Sequence, residues 1–506
     1  MKKILISVNT WETRAAITTN DRLQNIYFSS HTTKQLERSF FNGIVTKIIP
    51  GIQTAFVDIG QEKAGFLHIS EIDRELALTR MHDTISIVDE YDEERQEEQK
   101  SKRTPLNMSK ILREGEHILI QVSKEPVYEK GAKLTTCFTL PGRFIVLLPN
   151  IPRIGISKKI DDRDERQRLK TVVLKNLPKG MGAIIRTSSL NRGEKEINQD
   201  INYLLQTWRN ILEKSKTGAP KEQIHEDLPL SVAVIRDHLD EDVESVITND
   251  KETQKKLYKF IKEIAPEYSH KILFFQEPPL LFSYYNIDKQ IEDALHKKVQ
   301  LKSGGSIIIE TTEAMTVIDV NTGKYTGKTN PDDTILQTNL DAAAEIVRQL
   351  RLRNIGGLIV IDFIDMATAA NRQKLYRFLE QALREHDKYQ SVVLKVSEFG
   401  LVQMTRKRSG KTLVQQLTHY CPCCHGSGFA KSLKTLSYAI LRDLKRTLLE
   451  HKSAQSITLE IAPSVFEFIT QNEFDAILTL EKECNAIIVL TSKSELAQEN
   501  HKVILK

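Results

Sequence analysis

The chain has 506 residues, 40% of them apolar and 27% charged, an ordinary globular composition that excludes long disorder, collagen and a disulfide scaffold. At roughly 150 residues per domain, that length holds about three or four domains, each with its own core. Lys and Arg number 72 against 67 Asp and Glu, a net charge of +5. So even a balance names no nucleic-acid partner unless the basic residues cluster.

The start, Met1-Lys2-Lys3-Ile4-Leu5-Ile6-Ser7-Val8, is too short in apolar residues for a signal peptide, and Glu12 and Arg14 follow at once. It predicts a first β-strand, with further strands at Thr13–Thr18 and Leu23–Phe28. No apolar run approaches the roughly 18 residues of a membrane span, so a cytoplasmic chain is expected. Next come Phe41–Ile48, Ala55–Gly60 and Gly65–Ile72, three β-rich runs with turn signals between them. They resemble the OB-fold RNA-binding domain of the ribosomal protein S-one type. Aromatic faces exposed on a small barrel stack bases, which marks Phe56 and Phe66. The alternative is that both are core residues. Residues 73–113 interrupt this pattern with an acidic run, Asp89 to Glu98, which would repel RNA and is expected to be a surface insertion. The barrel resumes at Glu116–Val122, and Lys124 and Lys130 flank Gly131 in an expected hairpin.

Strand runs follow at Phe144–Leu148 and Ala183–Arg186, with a charged helix near Asp161–Leu174 between them. A second helix over Asn198–Lys214 carries Leu204, Leu205, Trp208 and Leu212 at helical spacing, so Trp208 is expected in the core. A strand near Val243–Ile247 and a helix near Thr253–Ala265 lead to the most informative stretch. There Ser306–Glu310 and Met315–Gly323 read as paired strands. Alternation puts Val317, Asp319 and Asn321 on one face. A carboxylate among Val and Ile needs a partner, a metal or open water at a strand end. A helix over Asp332–Leu352 then precedes Gly356–Asp365, a buried strand ending in acid.

Sites in open α/β sheets lie beyond the carboxyl ends of strands, where Asp319 and Asp362 both fall. Together they suit one Mg²⁺, which needs only one or two carboxylates with waters and a phosphate oxygen filling its octahedron. Asn321 would orient a carboxylate or the attacking water. A purely structural capping role for both acids is the alternative. The segment Gly323-Lys324-Tyr325-Thr326-Gly327-Lys328-Thr329 imitates a phosphate-binding loop. It has three residues between its glycines where four are needed to wrap a phosphate, so nucleotide hydrolysis is set aside.

Three of the five cysteines crowd into His419-Tyr420-Cys421-Pro422-Cys423-Cys424-His425. Cys421 and Cys424 form a CxxC knuckle, half of a tetrahedral zinc site. Either His419 or His425 completes it, or a second copy of the chain supplies the other pair. Cys423 leaves the choice of ligands open.

The ordered set Ala55–Gly60, Ile184–Thr187, Ser303–Val320, Arg348–Met366, Phe399–Arg408 and Cys421–Gly428 resembles the ribonuclease E/G family of bacterial endoribonucleases over nearly the whole chain. The resemblance implies a multidomain α/β (α+β) protein. Its expected parts are an RNase H-like domain from residues 1–35 and 231–294, an inserted OB-fold over 36–136 and an RNA 5′-end sensor over 137–230. A deoxyribonuclease I-like catalytic domain would span 295–416, a zinc link 417–430 and a small C-terminal domain 431–506. Residue by residue, it implies Asp319 and Asp362 as magnesium ligands and Asn321 as catalytic. It places Val146, Arg186 and Thr187 at a 5′-monophosphate, Phe56, Phe66 and Lys130 on RNA, and Cys421 and Cys424 on zinc. The expected activity is Mg²⁺-dependent cleavage of single-stranded RNA, in rRNA processing and mRNA decay. It would leave a 5′ phosphate and a 3′ hydroxyl and favour 5′-monophosphorylated RNA. A homodimer or higher oligomer sharing zinc is expected, with no membrane span. Two departures stand out: Gln390 replaces an arginine that some members carry near the 5′ pocket, and the acidic insertion interrupts the OB-fold. Arg186 pairing with a nearby acid such as Glu194 or Glu196 is the alternative to end sensing. A non-catalytic RNA-binding factor is the alternative for the whole.

Overall fold

Continuous apolar runs, Ile4-Leu5-Ile6 and Ala15-Ala16-Ile17, are buried on both faces and build the first sheet. β1 (Lys2–Val8), β2 (Glu12–Thr19) and β3 (Arg22–Ser30) form an antiparallel meander where three strands were expected. The computed structural model describes residues 1–32, 35–73, 107–126, 131–278, 280–323, 331–408, 410–422, 424, 426–451 and 455–505. The acidic run at 89–98, Lys130, residues 324–329 of the phosphate-loop imitation, Cys423 and His425 lie outside the described residues.

The next strands are β4 (Phe40–Ile49), β5 (Thr54–Asp58), β6 (Gly65–His68), β7 (His117–Lys124) and β8 (Lys133–Thr135). They run in the order β4-β5-β6-β8-β7, and β4 pairs back with β7, closing a five-stranded barrel. Closure removes the unpaired edges that an open sheet of this size would expose. Val45, Ala55, Val57, Leu67, Ile120 and Leu134 fill the interior.

A four-stranded sheet follows, from β9 (Leu140–Pro141), β10 (Ile145–Leu148), β11 (Ile154–Ile156) and β12 (Gly182–Ile185). The helices Arg163–Asn176 and Glu194–Thr217 share its core. Trp208 is in that core, 6% exposed. The second helix begins four residues before the expected start, because the Glu196 carboxylate accepts the Gly193 N–H at 2.9 Å and caps a turn with little apolar patterning. β13 (Gln223–His225) then pairs with β4. β14 (Val243–Thr248) runs parallel to β1, and β15 (Ile272–Phe274) runs beside β14. Residues before the barrel and residues after it thus share one sheet, ordered β15-β14-β1-β2-β3.

The last sheet of this unit has β16 (Lys298–Gln300), β17 (Ser306–Thr311), β18 (Met315–Asn321), β19 (Gly357–Asp362), β20 (Ser391–Val393) and β21 (Leu401–Arg406). Its order is β16-β17-β18-β19-β21-β20. Parallel strands need a crossover, and the helix Pro331–Leu352 supplies it between β18 and β19. One face buries Ile307, Ile309, Ile318, Ile359, Ile361 and Val402 against that helix and the helix Ala369–His386. The other face presents Val317, Asp319, Leu358, Val360, Asp362, Gln403 and Thr405, all half-buried or exposed.

The chain divides into two compact units, 1–416 and 417–506. The second packs the helices Leu433–Glu450, Pro463–Asn472 and Phe474–Cys484 on a sheet of β22 (Ser456–Ile461), β23 (Ile487–Ser492) and β24 (His501–Leu505). Its strand order is β23-β22-β24. Among the described residues, no helix is long and apolar enough to cross a membrane.

Candidate active site

Asp319 and Asp362 are register partners on the parallel strands β18 and β19. Neighbouring strands lie about 4.8 Å apart and partners point to one face, so the two carboxylates share the open side of the sheet at its carboxyl edge. Asn321, two residues on and therefore on the same face, donates its Nδ2 hydrogen to Asp319 Oδ2 at 2.6 Å. Burial raises the Asp362 carboxyl above its ordinary range, and the Asp319 and Asp365 carboxylates raise it further. The edge therefore carries more negative charge than it neutralises. Among the described residues, no three metal-ligating side chains close on one point. A carboxylate pair with hard oxygen donors fits Mg²⁺, which keeps most of its waters.

Two contacts fix this edge that the sequence did not single out. Asn339, fully buried on the helix Pro331–Leu352, donates to the Ile364 carbonyl at 2.8 Å and accepts the Ile364 N–H at 3.1 Å. It ties the chain just beyond Asp362 to the crossover helix. Gly400 stands at φ +74°, where a Cβ would lie 2.6 Å from the Phe363 carbonyl and 3.2 Å from Asp365 Oδ1. Only glycine lets the turn before β21 settle against the acids. An Asn flanked on its helix face by the apolar Leu336, Ala342 and Ala343 was the one available signal for the first contact.

Phe56 and Phe66 face each other across β5 and β6. Both are half-buried, while Ala55, Val57 and Leu67 beside them are fully buried. They point outward and are not part of the barrel core. Lys130 lies outside the described residues, but the neighbouring Lys133 pairs with Phe66 in register and forms an ion pair with Glu71.

Val146 lies on β10, opposite Ile184 of β12. Arg186 follows β12, and the exposed Thr187 opens a single 3₁₀ turn. Arg186 does pair with an acid, but with neither of the two nearby in sequence. Its Nη2 donates to Asp237 Oδ1 at 2.8 Å and its Nη1 to the Gly142 carbonyl at 2.5 Å. Glu194 is held by Lys175, and Glu196 by Arg192 and the Gly193 amide. Guanidinium has five N–H donors, so those two bonds leave donors for a ligand. The carbonyl is placed by Asp200, which is buried and accepts the amides of Arg143, Phe144 and Ile145 at 2.8–3.1 Å. A Cβ on Gly142 would sit 2.5 Å from the same carboxylate, so this turn too requires glycine.

Thr187 also lines a cleft of about 1300 Å³, together with Asp237, His238, Arg351 and Lys388. It does not include Asp319, Asn321 or Asp362; an extended polymer needs an open edge, not an enclosed cavity. The Lys388 ammonium lies 2.7 Å from His238 Nε2, and Tyr27 Oη lies 2.9 Å from that same nitrogen. Burial pushes Lys388 down to about 7; the Asp237 carboxylate opposes this, and Arg186, Lys2 and Arg351 add to it. Burial alone would raise the Asp237 carboxyl, but Arg236, Arg186 and Lys388 hold it well below the usual range.

In the second unit, Cys421 is exposed and Cys424 half-buried. The Cys424 carbonyl accepts the Ser427 amide at 2.8 Å, and Gly426 at φ +89° lies against the Tyr420 ring. The turn thus orders the knuckle, and two thiols make half of a tetrahedral set.

Against known proteins, residues 139–409 match the model of the Ribonuclease E/G family, and residues 420–505 match that of the RNase E/G thioredoxin-like domain. The chain belongs to the ribonuclease E/G family and is an endoribonuclease. Among individual relatives, it is 36% identical to ribonuclease G of Escherichia coli strain K12, over 95% of this chain and 94% of that one. Ribonuclease G of Haemophilus influenzae is also 36% identical, over 94% and 93%. Ribonuclease E of Escherichia coli strain K12 is 31% identical, over all of this chain but 46% of its own length.

Proposed function

We propose that the chain is a magnesium-dependent endoribonuclease that cuts single-stranded RNA, leaves a 5′ phosphate and a 3′ hydroxyl, and prefers a 5′-monophosphorylated end. The observation that carries this is the register pairing of Asp319 with Asp362, with Asn321 bonded to Asp319. The two carboxylates would hold the ion, and bound Mg²⁺ supplies Lewis acidity toward a phosphoryl oxygen and a more acidic water. Asn321 holds the rotamer of Asp319 through one carboxylate oxygen, which leaves the other for the ion. Asp365 and the Gly400 turn keep the edge rigid beside it. Water attacks phosphorus in line; the new P–O bond gives the 5′ phosphate, and the departing 3′ oxygen takes a proton.

The outward Phe56 and Phe66 would stack bases, with Lys130 adding charge. Arg186 and Thr187, with Val146 alongside, would receive a terminal monophosphate through charge-assisted hydrogen bonds. In this reading the sheet of β1–β3, β14 and β15 is the RNase H-like part, and that of β16–β21 the deoxyribonuclease I-like catalytic part. Cys421 and Cys424 would share one zinc with the same pair of a second copy, giving a homodimer or higher oligomer. The RNA work fits a cytoplasmic enzyme of rRNA processing and mRNA decay. The test is purified protein on single-stranded RNA. Cleavage with magnesium that EDTA abolishes, with 5′-phosphorylated products, is the expected result; cleavage at the same rate in EDTA contradicts the reading.

A further inference from the structure

Phe399 is 78% exposed, on a turn that the structure holds rigidly. Ser397 N–H donates to the Leu401 carbonyl at 2.9 Å, Gly400 N–H to the Ser397 carbonyl at 3.2 Å, and Leu401 N–H to Ser397 Oγ at 3.2 Å. Leu401 is the register partner of Asp362. Gly400 packs against the Phe363 carbonyl and against Asp365, one of the carboxylates that act on Asp362. The ring is therefore presented to solvent beside the acidic edge, on a turn with little freedom to tuck it away. Keeping a phenyl ring in water forgoes roughly 1.5–3 kcal/mol of burial, and nothing in the packing of this turn needs it, since Val402 and Met404 supply the inward residues of β21. The nearby charges are mixed, Lys395 and Glu398, so the turn offers a ring face and no net charge.

We infer that Phe399 is a nucleobase platform: it stacks the base next to the phosphate cleaved at Asp319 and Asp362, and so holds that phosphate at the carboxylates. The occupant is single-stranded RNA, because the ring is continuous with the edge that would hold its phosphate; the inference rests on the endoribonuclease reading above. A base stacked there brings its phosphate to the carboxylates without any sequence-reading hydrogen bond, so the platform tolerates every base.

The test uses the full chain and short single-stranded RNAs with 2-aminopurine at each position flanking the cleavage site. In the wild type, one position is expected to show stacking quench on binding. Phe399→Ala should lose that quench and cleave with a KM raised roughly ten-fold, as expected for loss of one aromatic stack. Phe399→Tyr should restore both, while Phe399→Leu, equally apolar, should not. Replacing that one base by an abasic site should slow the wild type and leave Phe399→Ala unchanged. Equal sensitivity of Phe399→Ala and wild type to the abasic site, or full rescue by Phe399→Leu, overturns the platform. Aromatic-dependent quench without any cleavage by the wild type supports the platform and counts against the endoribonuclease reading alone.

Discussion

Arg186 carries the sharpest residue-level demand, because its guanidinium is already bonded to Asp237 and to the Gly142 carbonyl. A terminal phosphate must use the remaining donors, and hydrogen bonds to charged groups contribute about 1.5–3 kcal/mol. Arg186→Leu should therefore slow cleavage of 5′-monophosphorylated RNA by roughly 10- to 150-fold, and leave triphosphorylated and circular RNA unchanged. Single-turnover rates on the three substrates decide it; equal slowing of all three assigns Arg186 to holding Asp237 alone. Gln390, where the family resemblance implies an arginine in some members, argues for the lower end. Lys388 gives a pH-dependent outcome. Burial disfavours its ammonium and pushes it down to about 7, against the pull of Asp237 and with the push of Arg186, Lys2 and Arg351. About half of it is then a free amine at pH 7, where an ordinary lysine near 10.4 is almost wholly protonated. Lys388 lines the cleft, so limited acylation at pH 7 should label it ahead of other lysines in peptide mass spectra, and the lead should vanish by pH 5. Labelling at the rate of surface lysines would contradict the shift. None of these partners was legible in the sequence: Arg186 and Asp237 are 51 residues apart and Lys388 and His238 are 150 apart, and charge pairs leave no periodic trace. The acids were legible, because alternation fixes the face of Asp319 and the strand end fixes Asp362.

At the scale of elements, the turn between β9 and β10 depends on Asp200. Its carboxylate accepts three backbone amides and so aims the Gly142 carbonyl at Arg186. In Asp200→Asn, one amide-bearing end of the side chain must face N–H groups, leaving donors unsatisfied. The expected cost is about 1–3 kcal/mol of stability, read as a lower midpoint in urea, with a reduced preference for monophosphorylated RNA. An unchanged midpoint and preference would show that the turn holds without it. The elements themselves were largely readable: short β-rich runs placed β1–β3, β10, β12, β18 and β19, and apolar spacing placed the helix Pro331–Leu352. Barrel closure was expected only from the resemblance to an OB-fold, because the pairing of β4 with β7 joins residues about eighty positions apart, and pattern alone cannot choose strand order. Asp200 escaped notice because it lies among Leu204, Leu205 and Trp208 on a helix whose apolar stripe hides one buried acid.

At the scale of the whole molecule, each unit has its own core. If Cys421 and Cys424 hold half of a zinc site, metal analysis with light scattering should find one zinc per two chains, and Cys424→Ser should lose metal and dimer together. One zinc per chain in a monomer would instead assign a histidine such as His419 to complete the set. The central claim is that the β18–β19 carboxylate edge cuts RNA, and removing one carboxylate without changing side-chain volume tests it most directly. The measurement is cleavage and binding of one end-labelled single-stranded RNA by wild type, Asp319→Asn and Asp362→Asn at saturating magnesium. The account predicts at least a thousand-fold loss of cleavage, ~4 kcal/mol of transition-state stabilisation, with RNA affinity within about two-fold of wild type. Cleavage by either variant at the wild-type rate would contradict it.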